Sequence, residues 1–317
     1  MKKLLFILLS SAAFVSIAQN ADTSHWNFKG LTSLNFTQVY LNNWAAGGQN
    51  SVAMNSLLNI NANYAKDKHI WENRLDLAYG LVSQGGQDFQ KTDDRIDLLS
   101  KYGREAFGSK HWFFSALLNF KSQFAEGYNL PDDSTVISEF MAPGYVMASV
   151  GFDYKKNENL SIYISPLTSK FTFVNNQILA DAGAFGVEEA VYDAMGNKTK
   201  DGENLRAEFG GSVNILWTQD IVENVTFSSR LELFSNYLDN PDHIDVFLEG
   251  ILAMKVNDFL SANITANVIY DHDIDILERD SKGNPKLDEE GNQIVGPRTQ
   301  LKEVFSLGIQ YTFGNAK

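Results

Sequence analysis

The 317-residue chain has no cysteine, five histidines and six prolines. Without cysteine it can form no disulfide and no thiolate metal site, and few histidines are available for acid–base catalysis. The net charge is −13, and no basic patch indicates nucleic-acid binding. A Gly-rich phosphate loop is also missing. These absences argue against thiolate metal sites, nucleotide-binding phosphate loops and nucleic-acid binding.

Long apolar runs are missing too, except at the N-terminus. Lys2 and Lys3 precede the apolar stretch Leu4–Ile17, and Ser16-Ile17-Ala18 is a small-x-small motif. The stretch is shorter than the ~20 residues of a transmembrane helix, so it predicts a cleaved signal peptide over residues 1–18. Mean hydropathy is −0.22, which argues against a helical membrane protein. Residues 19–317 are expected to form one exported domain.

The dominant pattern in the remaining chain is alternation of apolar and polar residues with a period of two, which predicts β-strands. In Leu301–Phe313, most odd positions are apolar and most even positions are polar or glycine. The same alternation predicts about twelve strands: Lys29–Leu41, Ser51–Tyr64, Ile70–Leu81, Arg95–Tyr102, Trp112–Phe124, Tyr145–Tyr154, Leu160–Phe173, Arg206–Trp217, Val225–Leu238, Ile244–Val256, Leu260–Tyr270 and Leu301–Phe313.

Pro166 interrupts the seventh predicted strand. Before Pro166 the apolar residues fall on even positions, Ile162 and Ile164. After it they fall on odd positions, Phe171 and Phe173. Because proline cannot donate a ladder hydrogen bond, the pattern predicts a bulge or kink at this point.

The predicted connections alternate in length. Short turns follow the even-numbered strands, and mostly long loops follow the odd-numbered ones, with 239–243 as a short exception. Short turns on one rim and long loops on the other are typical of outer-membrane barrels. We therefore predict an all-β fold: a transmembrane antiparallel β-barrel of about 12 strands, with short periplasmic turns and long extracellular loops, in the cell outer membrane.

Aromatic residues on the apolar parity gather near both rims, which predicts two girdles at the level of the lipid headgroups. A soluble barrel would turn its apolar parity inward and has no reason to sort aromatic residues in this way. Tyr64, Trp71, Trp112, Tyr154, Trp217 and Phe313 lie near the short turns, and Tyr79, Phe124, Phe173, Tyr237 and Tyr270 lie near the long loops.

The polar parity carries equal numbers of cations and anions. The cations are Arg74, Arg95, Lys101, Lys121, Arg206, Arg230, Lys255 and Lys302, and the anions are Glu72, Asp76, Asp97, Asp153, Glu208, Glu232, Asp245 and Glu249. A balanced lumen favours ion pairs, because an unpaired charge in a narrow barrel is costly. An ion-selective channel would instead carry a surplus of one sign. The charge pattern is compatible with two interpretations of the lumen: a narrow pore and a plug of salt bridges.

The excess of acidic residues falls in the long loops. Asp271, Asp273 and Asp275 have a spacing that could offer carboxylate oxygens to Ca²⁺. The spacing lacks the remaining features of an EF-hand loop, and a solvated acidic loop is the favoured interpretation. No other cofactor is expected. His243 and His272 lie near acidic residues at the outer rim, but no nucleophile can be assigned to them, so no catalytic residue is predicted.

Several long segments resemble a family of outer-membrane barrels of the Bacteroidota known as domain of unknown function 3078. They are LNNWAAGGQNS (Leu41–Ser51), KTDDRIDLLSKYG (Lys91–Gly103), ISPLTSKFT (Ile164–Thr172), LADAGAFGVEEAVYD (Leu179–Asp193), ENLRAEFGG (Glu203–Gly211) and GPRTQLKEV (Gly296–Val304). The resemblance implies an outer-membrane barrel of a Gram-negative bacterium and carries no catalytic residue.

Three functions are compatible with these features. The first is a narrow, porin-like passive channel for small solutes. The second is a structural or interaction subunit of an outer-membrane assembly with a plugged lumen, and the third, less favoured, is a lipid-modifying enzyme. The expected partners are outer-membrane lipid and other outer-membrane proteins, not nucleic acid.

Overall fold

The computed structural model describes residues 25–42, 45–46, 48–128, 132–157, 159–280 and 285–314. Within them, twelve long antiparallel strands close into one barrel in which every strand pairs with its neighbours in sequence. The strands are β1 (Trp26–Val39), β2 (Ser51–Lys66), β3 (His69–Gln84), β4 (Gln90–Ala106), β5 (Ser109–Ser122), β6 (Gly144–Asn157), β7 (Leu160–Phe173), β8 (Leu205–Val222), β9 (Val225–Asn236), β10 (Ile244–Lys255), β11 (Leu260–Tyr270) and β12 (Gln300–Gly314).

This architecture confirms the predicted fold class and the predicted strand number. Strand β12 closes the barrel by pairing with β1, with Phe313 opposite Gly30 and Ile309 opposite Leu34. Several strands are longer than predicted, because backbone pairing continues past the point where the alternation of side chains fades. The predicted signal peptide, residues 1–18, lies outside the described residues.

The interruption at Pro166 is a bulge, as predicted. On one side of β7 the register passes from Val150 opposite Leu167 to Phe152 opposite Ile164. On its other side β7 shifts in the same way against β8. Gly151 fits beside the bulge because a Cβ there would collide with the carbonyl of Ile164. The inward parity of β7 therefore changes from odd to even numbers along the strand.

Tight turns form one rim of the barrel and mostly longer loops form the other, as predicted, except that the predicted loop 82–94 is reduced to 85–89 because β3 and β4 extend into it. The tight turns contain Asp67, Phe107 and Asn224, each with a positive φ of 52 to 63°. On the opposite rim lie the connections 40–50, 85–89, 123–143, 174–204, 237–243 and 271–299. Among the helical segments that the structure describes, none combines the length and apolar character needed to cross a membrane.

Two of the long loops pack on each other. Val174, Ala180 and Ala142 are completely buried there, and the short helix α1 (Gln177–Asp181) begins at the capping side chain of Asn176. This contact gives the segment 174–204 a small core of its own above the rim.

The end of α1 is held by Asp181. Its carboxylate accepts hydrogen bonds from Lys198 Nζ at 2.7 Å, Gln177 Nε2 at 2.7 Å and the backbone N–H of Gly202 at 2.8 Å. With the lysine contact as the largest cause, these bonds lower the pKa of Asp181 to about 2. The loop 174–204 is therefore tied together by a charged hydrogen-bond network as well as by its core.

Candidate functional site

Burial in this barrel is the reverse of that in a soluble protein. Inward-facing polar residues are covered: Asp153 is 0% exposed, Asp97 3% and Arg230 5%. Outward-facing apolar residues are open, with Leu301 71% and Phe305 67% exposed. Soluble proteins bury apolar side chains and rarely bury charged ones without partners. The interior of the barrel is therefore a filled polar core, and its exterior is an apolar surface.

The middle of the lumen is crossed by an ion-pair layer centred on Arg230 of β9. Its Nη1 donates to Asp97 Oδ2 of β4 at 2.8 Å, across the four strands β5 to β8, and its guanidinium also contacts Glu232. Lys121 of β5 reaches the same Glu232 at 2.6 Å, and the amide of Asn119 donates to Asp97 at 2.6 Å. Every charge in this layer has a partner of opposite sign.

Phe247 of β10 supports the same layer from the lumen wall. The ammonium of Lys121 lies 4.7 Å from the centre of its ring, and the guanidinium of Arg230 lies 5.4 Å away. Cations over an aromatic face are attracted by its quadrupole. This inward-facing aromatic residue thus holds both cations where they meet their carboxylates.

A second contact joins opposite walls. Arg95 of β4 lies 2.6 Å from Glu249 of β10, and five strands separate β4 from β10 in either direction around the barrel. Two side chains that meet from opposite walls leave no wide opening at their level. The lumen is consequently bridged at this height.

A third cluster fills the lumen toward the short turns. Lys101 lies 2.6 Å from Asp153 and 3.2 Å from Glu72, and Lys155 contacts Glu72 as well. Ser161 adds a hydrogen bond to Asp153 at 2.7 Å. Lys101 and Asp153 are buried, so this pair is shielded from water, whereas Glu72 and Lys155 are partly exposed.

A fourth cluster lies at the mouth on the long-loop side, around Lys170 of β7. Its Nζ lies 2.7 Å from Asp245 and 3.5 Å from both Glu208 and Asp271. Arg206 lies 2.9 Å from Glu208 and also contacts Asp273. Four carboxylates face two cations here, so this mouth carries a net negative charge.

The predicted lumen residues can now be placed. All sixteen charged residues predicted to face the lumen form at least one ion pair. They include Glu72, Arg74, Asp76, Asp97, Lys101, Lys121, Asp153, Glu208, Arg230, Glu232, Asp245 and Glu249. Sequence reasoning missed Lys155 and Lys170. The parity change at Pro166 was the signal for Lys170, because outward Phe171 and Phe173 require Lys170 to face inward.

Between the mouth and the Arg230 layer lies a cavity of about 350 Å³ that we call the vestibule. Its walls include the Lys121–Glu232 and Lys170–Asp245 ion pairs and the aromatic side chains of Tyr145, Phe234 and Phe247. It opens toward the long loops, and the ion pairs of the middle layer lie at its inner end.

The proposed calcium residues separate in the structure. Asp271 and Asp273 group with Asp245, their oxygens lying within 4.8 Å of one another, and within the described residues Asp275 is not part of this group. Lys170 and Arg206 already contact these carboxylates. The trio is thus part of the ion-pair cluster at the mouth.

The two outer-rim histidines meet beside that cluster. The rings of His243 and His272 meet at an interplanar angle of 35° with centroids 3.6 Å apart, and the Tyr270 hydroxyl lies 3.3 Å from His272 Nδ1. No serine, threonine or cysteine that the structure describes makes a hydrogen bond to either imidazole.

The aromatic residues named from the sequence lie at the two rims. Near the short turns, Trp112 and Tyr154 are 5.0 Å apart, and Tyr64 and Trp71 both contact Trp26. Trp217 contacts Phe227, and Phe313 lies beside Tyr311. Near the long loops, Tyr79 meets Phe124 and Tyr237 meets Phe209. Phe173 ends β7 at the same rim, whereas Tyr270, which was predicted for the girdle, lines the vestibule inside the barrel.

The closed twelve-strand barrel with a charged interior can now be compared with known proteins. Residues 36–128 match the family described as "Protein of unknown function (DUF3078)". This match takes in β2 to β5 and confirms the predicted family resemblance over that part of the chain. The assignment to the Bacteroidota stays a prediction. No curated protein matches the chain.

Solved structures similar to this one are outer-membrane barrels. The translocator domain of the autotransporter NalP from Neisseria meningitidis has 9% identity and a TM-score of 0.37, over 98% of this chain and 96% of that one. An outer membrane channel from Pseudomonas putida F1 has 11% identity and a TM-score of 0.37, over 93% and 99%. OmpT, an outer membrane protein of Vibrio cholerae, has 8% identity and a TM-score of 0.33, over 94% and 100%.

Proposed function

We propose that this chain is a closed barrel of the Gram-negative outer membrane that serves as a structural or interaction component, and that it is not an open pore. The observation that carries the proposal is the layer in which Arg230 joins Asp97 and Glu232 across the lumen. An open pore keeps its lining accessible to water, whereas Arg230 and Asp97 are only 5% and 3% exposed.

The membrane location rests on the apolar exterior. Leu307 and Ile309, in the middle of β12, point outward and are 50% and 64% exposed. Contiguous apolar surface of this kind marks contact with a partner or with lipid. The aromatic girdles at both rims favour lipid, because such rings sit at the headgroup level of a bilayer.

The test is electrical conductance in planar bilayers. Wild-type protein should insert without stable conducting steps, because the ion pairs occupy the lumen. A variant with serine at every paired charge of the middle layer, of the Arg95–Glu249 contact and of the Lys101 cluster removes five charges of each sign and should conduct. The ten replaced residues are Asp97, Lys121, Arg230, Glu232, Arg95, Glu249, Glu72, Lys101, Asp153 and Lys155. Heat-dependent migration on SDS gels checks that both proteins are folded.

A matched control replaces the Asp181 and Lys198 pair with serine. This pair lies in the long loop 174–204, so its loss should leave the bilayer silent. Steady conductance by the wild-type protein would contradict the proposal. It would support the second candidate, a narrow passive channel for small solutes, which the vestibule of about 350 Å³ favours as an entrance.

A further inference from the structure

Four cations stand in a row on the outer surface next to the short turns. Lys66 ends β2, Arg104 lies near the end of β4, Lys110 near the start of β5, and Lys156 near the end of β6. All four are exposed and fall on the outward parity of their strands. We call them the basic row.

Each member of the basic row lies next to an outward-facing aromatic residue near the short turns. Three of these residues belong to the predicted girdle, and Tyr102 is an additional one. Tyr64, Tyr102, Trp112 and Tyr154 lie two positions farther from the turn on the same strand and the same face. On the intervening strand β3 the same arrangement places His69 beside Trp71. On each of the five neighbouring strands β2 to β6, an aromatic ring is followed, in the direction of the short turns, by a basic group or an imidazole.

The aromatic part of this sector is a connected surface. His69 Nδ1 lies 2.6 Å from the Tyr102 hydroxyl, and Trp71 Nε1 donates to Ser100 Oγ at 2.8 Å. Trp112 packs on Tyr154 with ring centroids 5.0 Å apart. These contacts hold the rings in place on the outer surface. The cations lie two positions closer to the turns, on the side of the rings that faces water.

The four cations of the basic row lack ion-pair partners among the described residues, although Asp67 and Glu105 lie in the same turns. At the corresponding outward positions beyond the girdle, β8 carries Gln219, and Val256 directly follows β10. In a chain with a net charge of −13, four unpaired cations on one sector of one rim form a local positive surface.

We infer that the basic row binds the phosphate groups of anionic phospholipids in the leaflet on the short-turn side. This inference rests on the proposed membrane location. The lipid is the occupant because the four cations share a face with rings that meet the membrane, which puts them at headgroup depth. A lysine or arginine at an anionic membrane surface contributes about 1 kcal/mol, which is about fivefold in affinity for each cation.

The experiment measures lipid preference in reconstituted vesicles. The full chain is inserted into phosphatidylcholine vesicles that contain traces of dansyl-phosphatidylglycerol or dansyl-phosphatidylcholine. Energy transfer from tryptophan reports the lipid beside the barrel, with Trp71 and Trp112 lying next to the basic row. Wild-type protein should prefer the anionic probe by about tenfold or more, and high salt should weaken that preference. Soluble glycerol phosphate at the concentration of the probe should not compete.

Two variants with the same change in net charge decide the interpretation. The first replaces the basic row with glutamine (K66Q, R104Q, K110Q and K156Q) and should lose the preference. The second replaces four exposed lysines that are paired with carboxylates elsewhere (K198Q, K200Q, K255Q and K286Q) and should retain it.

The outcomes separate this inference from the proposed function. A basic-row variant that keeps the preference, a control variant that loses it equally, or competition by soluble glycerol phosphate would each overturn the lipid site. Failure of the wild-type chain to insert into either vesicle would instead overturn the membrane location itself.

Discussion

Removing Arg230 should be among the most damaging single changes in the lumen. Arg230 is 5% exposed and contacts Asp97 at 2.8 Å as well as Glu232. In the variant R230A both carboxylates stay in the lumen, and Lys121 is the nearest remaining cation of the layer, 2.6 Å from Glu232.

The size of the effect follows from the cost of an uncompensated charge. Breaking a buried ion pair by removing one partner typically destabilises a protein by ~3–5 kcal/mol. The lost contact between the guanidinium and Phe247 adds about 1 kcal/mol. Together these two losses are about 5 kcal/mol. Because whole domains are stable by only ~5–15 kcal/mol, we expect R230A to unfold at a much lower urea concentration.

Urea unfolding of the reconstituted barrel, followed by tryptophan fluorescence, measures this loss. The double variant R230M/D97N removes one charge of each sign and leaves the Lys121–Glu232 pair intact, so it should recover most of the stability. The control R298A removes a guanidinium that lies 2.5 Å from Glu278 in an exposed loop and should leave the unfolding midpoint unchanged.

Two results would refute this reasoning. If R230A unfolded at the same urea concentration as R298A, the lumen would be wet enough to solvate the two carboxylates. If R230M/D97N were no more stable than R230A, the loss would come from missing packing, and charge compensation would not explain the filled lumen.

Three further predictions concern the exterior, the closing strands and a loop. L307R should reduce insertion into vesicles strongly and L301R only weakly. Leu307 lies in the middle of β12, where an arginine costs ~2–4 kcal/mol at the bilayer midplane, and Leu301 lies near its start, where the cost is ~0–1 kcal/mol. Equal effects of the two variants would contradict this orientation of β12 in the membrane. G30A should lower the unfolding midpoint, because a Cβ at Gly30 would overlap the ring of Phe313. A Cβ at Gly250 would meet no atom within 3.4 Å, so G250A should be tolerated, and the reverse order in urea unfolding would be contrary evidence. The depressed pKa of Asp181, about 2, means that its hydrogen bonds stabilise the loop fully above its ordinary pKa of about 3.9 and lose that effect as the pH falls toward 2. Pepsin should therefore cut the loop 174–204 faster at pH near 2 than its general activity explains, and D181N should abolish this dependence.

Much of the fold could be predicted because alternation is a local property. The strand Leu301–Phe313 shows its two faces without reference to any other segment, and so does Ser51–Tyr64. The bulge at Pro166 was predictable for the same reason, since proline acts on its own backbone. Strand ends were less predictable, because Gln90 to Asp94 join β4 through pairing with β3, which a single segment does not reveal.

The partners across the lumen could not be predicted. Glu72, Arg74 and Asp76 alternate along one strand and suggest pairing among themselves. In the structure Arg74 does meet Asp76 at 3.0 Å, but Glu72 instead turns to Lys101 and Lys155 on β4 and β6. Which charges meet depends on the shear and curvature of the closed barrel, and these are properties of all twelve strands together.

The same dependence explains why a charged lumen suits a barrel that is apolar outside. With an apolar core as well as an apolar exterior, a strand could slip by one residue and exchange its two faces at little cost. Here a one-residue slip of β4 would turn Arg95, Asp97 and Lys101 toward the apolar surroundings. Each cation alone would then cost ~2–4 kcal/mol near the bilayer midplane, and their carboxylate partners would stay unpaired inside. Together these costs are comparable to the ~5–15 kcal/mol that stabilises a whole domain, so the ion pairs that fill the lumen also select one register and one closure of the barrel.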